Sequence, residues 1–226
     1  MGRQLGGLRA MGGVMHILGI VGGIASGKST VSTRLSELGA VVLDADKAAH
    51  EALNQRDVQK ALVARWGPEI LDEQGLVDRK AIAGRIFATS VENPEDLSDQ
   101  QAQAQSNRLF LEQTIHPRVR QQFVQKIEQL TKRGAAIAVI DAPLLLEADW
   151  GSVCDDIVFV DCPVETRLER ALLRGWTKRQ FYQREAAQWP IEEKQRASTI
   201  RFDNSGISES ELVQRVQQLW DNLTAC

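Results

Sequence analysis

The sequence predicts an α/β fold in three layers around a parallel sheet, and three observations predict it. Four short apolar runs, His16–Val21, Val41–Leu43, Ala136–Ile140 and Ile157–Val160, suit strands that are buried on both faces of such a sheet. The last three of them end in aspartate, at Asp44, Asp141 and Asp161. The first leads through a glycine-rich turn into a helical pattern and then into the second, giving the βαβ unit whose crossover is right-handed.

Each element has a local reason. After the glycine-rich turn, Val31, Leu35 and Leu38 recur at helical spacing from Lys28, and Gly39 stands where a helix C-cap glycine belongs. From Lys47 to Arg133 the pattern becomes charged, Gln-rich and helical, broken at Gly67-Pro68, Asp72 to Gly75 and Asn93-Pro94, with no convincing strand. This insertion is either a substrate-binding subdomain or a helical layer over one sheet face. Its Gln-rich stretch from Ser98 to Ser106 is expected to be a mobile loop. Later, Pro163 suits the first turn of a helix carrying Leu168, Ala171 and Leu172. The last helix opens on a capping box, Ser208 with Glu211, and runs Leu212, Val216, Leu219 and Leu223 along one face.

Composition removes several function classes. Hydrophobic residues are 43% and charged residues 25% of the 226, so the chain is neither disordered nor fibrous. A net charge of −3 supplies no global field to hold DNA, RNA or anionic lipid, so no nucleic-acid or membrane partner is expected and an anionic ligand must be caught locally. Cys154, Cys162 and Cys226 are odd in number and contain no C-x-x-C pair, against a disulfide framework or a thiolate zinc site. The start has no apolar stretch of a signal peptide's length, and no apolar run approaches the length of a membrane span. A cytoplasmic location is expected, with residues 1–14 a disordered leader and Met15 the functional start.

Chemistry enters at Gly22-Gly23-Ile24-Ala25-Ser26-Gly27-Lys28-Ser29, followed by Thr30, which matches G-x-x-x-x-G-K-[ST], the P-loop. Glycines allow the tight turn that points backbone N–H groups at phosphate oxygens. Lys28 suits the β and γ phosphates, and the hydroxyl of Ser29 suits Mg²⁺. The following helix adds the positive end of its dipole. A chance match in a chain of this length is roughly one in a hundred. No N-K-x-D segment accompanies it, and the one D-x-x-G, Asp203 to Gly206, lies far downstream, which argues against a GTPase. One Tyr and five scattered Trp give no base-stacking platform for a helicase.

Phosphoryl transfer also needs a base or orienter for the acceptor hydroxyl and cations for the moving charge. Asp44 and Asp46 fit the first need, at the carboxyl end of the strand predicted beside the P-loop strand. One of them alone equally fits a helix N-cap. Asp141 and Asp161, at the ends of later strands, suit water-mediated Mg²⁺ contacts or plain turns. Residues 165–201 hold nine Lys or Arg against five Glu, a local charge of +4 against −7 for the remainder. Within it Arg167, Arg170 and Arg174 step by three and four along one helix face, which reads either as a solvated basic face or as a lid over a triphosphate.

Taken together these segments resemble dephospho-coenzyme A kinases, P-loop kinases similar in fold to nucleoside monophosphate kinases. The resemblance rests on the P-loop, Asp44-Ala-Asp46, Asp78-Arg79 with Ile86-Phe87, His116-Pro117, Pro143-Leu-Leu-Leu-Glu147, the Arg167/Arg170/Arg174 helix, Arg184 with Gln188, and Asp203-Asn204. It implies a P-loop NTPase fold whose core comprises residues 15–46, 110–164 and 189–226, a helical substrate domain over 47–109 and a lid over 165–188. The implied reaction is ATP-dependent phosphorylation of the ribose 3′-hydroxyl of dephospho-CoA, the last step of coenzyme A synthesis, with Mg²⁺. Nucleotide-binding residues would be Gly23, Ala25, Ser26, Gly27, Lys28, Ser29 and Thr30, the last at the α phosphate. Asp46 would act as base or orienter with Asp44 in support, Arg170 and Arg174 as lid cations, and Arg79, His116 and Glu147 on the substrate side. Ala25 replaces a usual glycine and needs a backbone conformation that a Cβ can bear. Kinases of another nucleotide or nucleoside, and a nucleotide-binding regulatory module without transfer, are the alternatives. A monomer is expected, with an oligomer left open.

Overall fold

The computed structural model describes residues 15–86 and 94–225, with residues 94–99 described by their backbone alone. The leader expected over residues 1–14, Phe87 and Cys226 therefore lie outside the described residues.

Strands β1 (His16–Gly22), β2 (Val41–Asp44), β3 (Ile137–Asp141), β4 (Asp156–Asp161) and β5 (Ile200–Asp203) form one sheet in the order β2-β3-β1-β4-β5. All four pairings are parallel. The first strand thus occupies the centre. From it the chain goes first to the edge strand β2 and returns to β3 on one side, then steps outward through β4 to β5 on the other, and the carboxyl end of such a switch-point strand is where open α/β sheets collect ligands. Helices α1 (Lys28–Glu37) and α9 (Glu209–Thr224) supply Val31, Leu35, Leu212, Val216 and Leu219 to a core with Leu18, Ile20, Val139 and Val160. Ala138, Ile140 and Phe159, at the intervening strand positions, are equally buried, so both sheet faces are covered. The capping box at Ser208 and Glu211 is present, and Gly39 follows α1 with φ +112.

Two elements differ from the sequence reading. β5 was not expected, because its four residues alternate Ile200 and Phe202 with exposed Arg201 and Asp203 and lack the continuous apolar run of a central strand. As an edge strand it pairs on one side with β4. The stretch 98–106, expected as a mobile loop, is helical and lies inside α5 (Pro94–Lys132). Its Gln and Ala residues are good helix formers, and neither glycine nor proline occurs between Glu95 and His116. Pro94 suits the first helical position, whereas Pro117 stands in the interior of the helix.

The chain divides into two compact units, one made of the residues up to Ala45 with those from Val124 onward, the other of Asp46–Phe123. The boundary inferred at residues 109–110 falls within the uninterrupted α5. The second unit contains most of α2 (Ala45–Leu53), α3 (Arg56–Trp66), α4 (Arg79–Ile86) and the first part of α5. Between α3 and α4 its only β pairing among the described residues is the bridge Leu71 to Val77. Its interior includes Val58, Leu62, Ile70 and Ile82. There Trp66 Nε1 donates to Asn107 Oδ1 at 3.2 Å, and Asn107 Nδ2 donates to the Arg85 carbonyl at 2.9 Å, so the buried amide is satisfied at both ends.

Candidate active site

The turn from Gly22 to Gly27 joins β1 to α1 at the centre of the sheet's carboxyl edge. Gly27 is the N-cap of α1 with φ +101, and a Cβ there would collide with the side-chain amide of Asn204. Both the conformation and the space demand glycine. Ala25 adopts φ +58, in the left-handed region, at a cost of about 1–2 kcal/mol for a residue with a Cβ. The loop's carbonyls are held by donors from elsewhere in the first unit. Ser26 O accepts from Asn204 Nδ2 at 2.7 Å and from Arg170 Nη1 at 3.2 Å, and Ile24 O from Arg167 Nη1 at 3.3 Å. Lys28 Nζ donates to Gly22 O at 3.0 Å and Gly23 O at 2.9 Å. With these carbonyls occupied, the loop's amides and the positive end of α1 are the natural partners of an anion. The Ser26 hydroxyl is buried in the turn with no partner among the described residues.

Lys28 is half-buried, while Ser29 and Thr30 are exposed at the start of α1. Burial lowers the Lys28 ammonium to about 8, and the neighbouring Lys194 pushes in the same direction against the opposing pull of Asp141. One turn further, Ser32 Oγ donates to Asp141 Oδ2 at 2.9 Å, which ties the end of β3 to the helix that carries Ser29. Asp44 stands in register with Asp141, and Asp141 with Ile20 of β1, so Asp141 ends the strand next to β1 and Asp44 the edge strand beyond it; β2 is thus not the neighbour of the P-loop strand that the sequence suggests, because β3 enters between them. Asp161 is turned to another task, accepting from Arg201 Nε at 2.9 Å. Asp46 is exposed in the first turn of α2, where the chain passes from the first unit to the second.

The three arginines of α6 (Val164–Leu173 with Arg174 as C-cap) part company. Arg167 is 5% exposed: its Nη1 lies 2.7 Å from both carboxylate oxygens of Glu185, its Nε donates to the Cys162 carbonyl at 3.0 Å, and its guanidinium lies over Phe181. It is a buried brace, so the three arginines do not share one exposed face. Arg170 is half-buried against the P-loop, and Arg174 is exposed. A turn with Gly175 at φ +81 leads to α7 (Lys178–Ala186), capped by Thr177 and Gln180, and Arg184 lies over the Trp176 ring at 4.1 Å. Of the expected substrate-side residues, Arg79 opens α4 and His116 lies in α5, both in the second unit, whereas Glu147 belongs to the first.

Residues without an expected role complete this surround. Asn204 is buried and donates to the P-loop, although its only signal in the sequence was the Asp203-Asn204 pair. Lys194, 2% exposed in α8 (Ile191–Arg196), was hidden among Glu192, Glu193 and Arg196, a string that reads as surface charge.

A family model described as dephospho-CoA kinase matches residues 16–209, which takes in the P-loop, the whole second unit and α6 to α8. The chain belongs to the dephospho-CoA kinase family. A relative named dephospho-CoA kinase from Geobacter sulfurreducens is 38% identical over 208 residues, covering 91% of this chain and 98% of its own. One of the same name from Geobacillus kaustophilus is 35% identical, covering 91% and 97%. Among solved structures, TT1252 from Thermus thermophilus matches with a TM-score of 0.68 at 31% identity over 91% of this chain and 96% of that one. A Campylobacter jejuni dephospho-CoA kinase shares the fold, with a TM-score of 0.66 at 20% identity over 94% and 98%. As a family member the chain is a kinase, a transferase with ATP as co-substrate, on a P-loop NTPase fold.

The Lys28 environment carries a pH dependence. Near pH 8 the free protein holds this lysine partly deprotonated, and triphosphate oxygens draw the proton back. Nucleotide binding is therefore expected to take up a proton around pH 8 to 9, and affinity to fall as pH rises through that window, while binding near pH 6 is pH-independent as far as this group is concerned. Calorimetry in two buffers of different ionisation enthalpy measures the uptake. None at pH 8 to 9 would show that the lysine is already fully protonated in the free protein.

Proposed function

We propose that this chain transfers the γ-phosphoryl group of ATP to the ribose 3′-hydroxyl of dephospho-CoA, giving coenzyme A and ADP. The family match over residues 16–209, with the complete P-loop at the head of α1, carries the reading. Lys28 would take the β and γ phosphates, Thr30 the α phosphate, and the amides of Gly23 to Gly27 the oxygens between them. Arg170, already seated against Ser26, and the exposed Arg174 would meet the charge of the transferring group.

Asp46 would orient and deprotonate the acceptor hydroxyl with Asp44 in support, and Arg79, His116 and Glu147 would serve the substrate side. Among the described residues no cluster of three His, Cys, Asp or Glu could hold a metal. That suits Mg²⁺, which in such enzymes takes one or two protein oxygens and completes its shell from phosphates and water. The exposed Ser29 hydroxyl fits the first position, and Asp141, held through Ser32, fits a water-mediated one. When bound, the ion would neutralise charge on the β and γ oxygens. No described helix is long and apolar enough to cross a membrane, and Cys154 and Cys162 are free thiols, which supports a cytoplasmic setting.

Incubation with ATP and either dephospho-CoA or a nucleoside panel, with mass spectrometry of the products, tests the reading. One phosphate gained by dephospho-CoA is the expected result. Gain by a nucleoside alone would reassign the acceptor, and no gain by any acceptor would leave a nucleotide-binding module.

A further inference from the structure

We propose that Lys194 is a positioning residue for phosphoryl transfer: its ammonium, wedged between Glu147 and Gln188, fixes the end of the lid segment to the loop that follows β3. The inference rests on the kinase reading above, with residues 165–188 as lid. Lys194 Nζ donates to Gln188 Oε1 at 2.7 Å and stands 3.4 Å from Glu147 Oε1. The same Glu147 oxygen accepts from the backbone N–H of Trp189 at 2.8 Å. One ammonium and one carboxylate thus close a ring around residues 188 and 189, where the lid segment rejoins the core. At its other end the segment is held by the Arg167–Glu185 pair, which ties α6 to α7 beside the P-loop.

The chemistry of the pair argues against a plain packing role. The Lys194 side chain is 2% exposed and that of Glu147 16% exposed. A buried ammonium is costly unless paired, and a pair of apolar side chains in place of both partners fills such a site without that cost. Here the charge sits within electrostatic reach of Lys28 and Arg167, so the cation that anchors the lid also belongs to the field of the phosphate loop. All of the bonds recorded for Glu147 run through Oε1, while Oε2 is buried without a partner among the described residues. Loss of the Lys194 charge would therefore leave the carboxylate on a single backbone N–H. The anchor at residue 189 would loosen while the P-loop's own bonds stay intact.

Lys194→Met tests this, because it keeps the length and burial and removes the charge. The expected result is a kcat for transfer to dephospho-CoA lower by about tenfold or more, since small misplacements of a catalytic surround have effects of this size. KM for ATP and for dephospho-CoA should stay within about threefold, while the melting temperature falls, because the Glu147 carboxylate loses its cation. Gln188→Ala, at a half-buried position, should lower kcat in the same sense, and the double variant should be no slower than Lys194→Met alone. If the Met variant fails to fold, an unchanged kcat in Gln188→Ala overturns the inference. So does a melting loss with kcat intact, or two effects that multiply in the double variant. Transfer by the parent protein is measured first: its absence overturns the kinase reading and this inference with it, whereas an active parent matched by an equally active Lys194→Met overturns the inference alone.

Discussion

Lys28→Ala is expected to lower kcat/KM for transfer by about 10²–10³, the usual effect of removing one preorganised transition-state donor, and to leave the fold intact. The lysine lies at the first turn of α1, half-buried, with its charge on the loop and not in the core of Leu18, Val31 and Leu35. In the free protein its ammonium bonds to the Gly22 and Gly23 carbonyls, and alanine gives those two acceptors to water, at about 1 kcal/mol each. It also removes a desolvated cation that Lys194 and Arg167 repel, which offsets part of that loss. Activity and melting temperature are read together. Activity within about threefold of the parent at saturating nucleotide would defeat the assignment of Lys28 to the phosphates.

The central strands were legible in the sequence because burial on both faces writes itself as an unbroken apolar run. β1, β3 and β4 meet that condition, and their observed bounds differ from the runs by a residue or so. β5 meets it on one edge alone, and its exposed Arg201 and Asp203 broke the run. The Gln-rich stretch misled for the opposite reason: a polar composition is compatible with an amphipathic or solvated helix, and propensity decided in favour of α5.

The site divides along the same line. A phosphate loop is a local motif whose backbone geometry is fixed by glycine spacing, so Gly22 to Ser29 could be read directly, including the demand that Ala25 places on its backbone. The surround is assembled from distant segments. Glu185 lies eighteen residues beyond Arg167, and Asn204 is 178 residues from the Ser26 carbonyl that it supports. No period or spacing links such partners, and a buried lysine such as Lys194 looks in sequence like any solvated charge. Only the packing of α6, α7 and α8 near the carboxyl edge of the sheet reveals that these charges hold one another.

Asp46→Asn is expected to spare ATP binding and to reduce turnover by about 10²–10⁴, the span of a lost general base. The substitution keeps the shape and exchanges a carboxylate for an amide. At an exposed position in the first turn of α2 the carboxylate is favoured by the helix dipole by about 0.3–1 kcal/mol, so the melting temperature is read beside turnover. The two aspartates of the triplet differ in setting. Asp44 ends β2 in register with Asp141, on the side of the chain that belongs to the sheet, and Asp46 begins the helical unit. Removing the Asp44 charge should therefore disturb the phosphate-side electrostatics that Asp141 shares, with a smaller effect on the chemical step. Single-turnover measurement with preloaded ATP separates the two, because it reads chemistry apart from product release. If Asp44→Asn proves far slower than Asp46→Asn in that assay, base and helper exchange places, and the proton of the acceptor hydroxyl goes to the residue at the end of the strand.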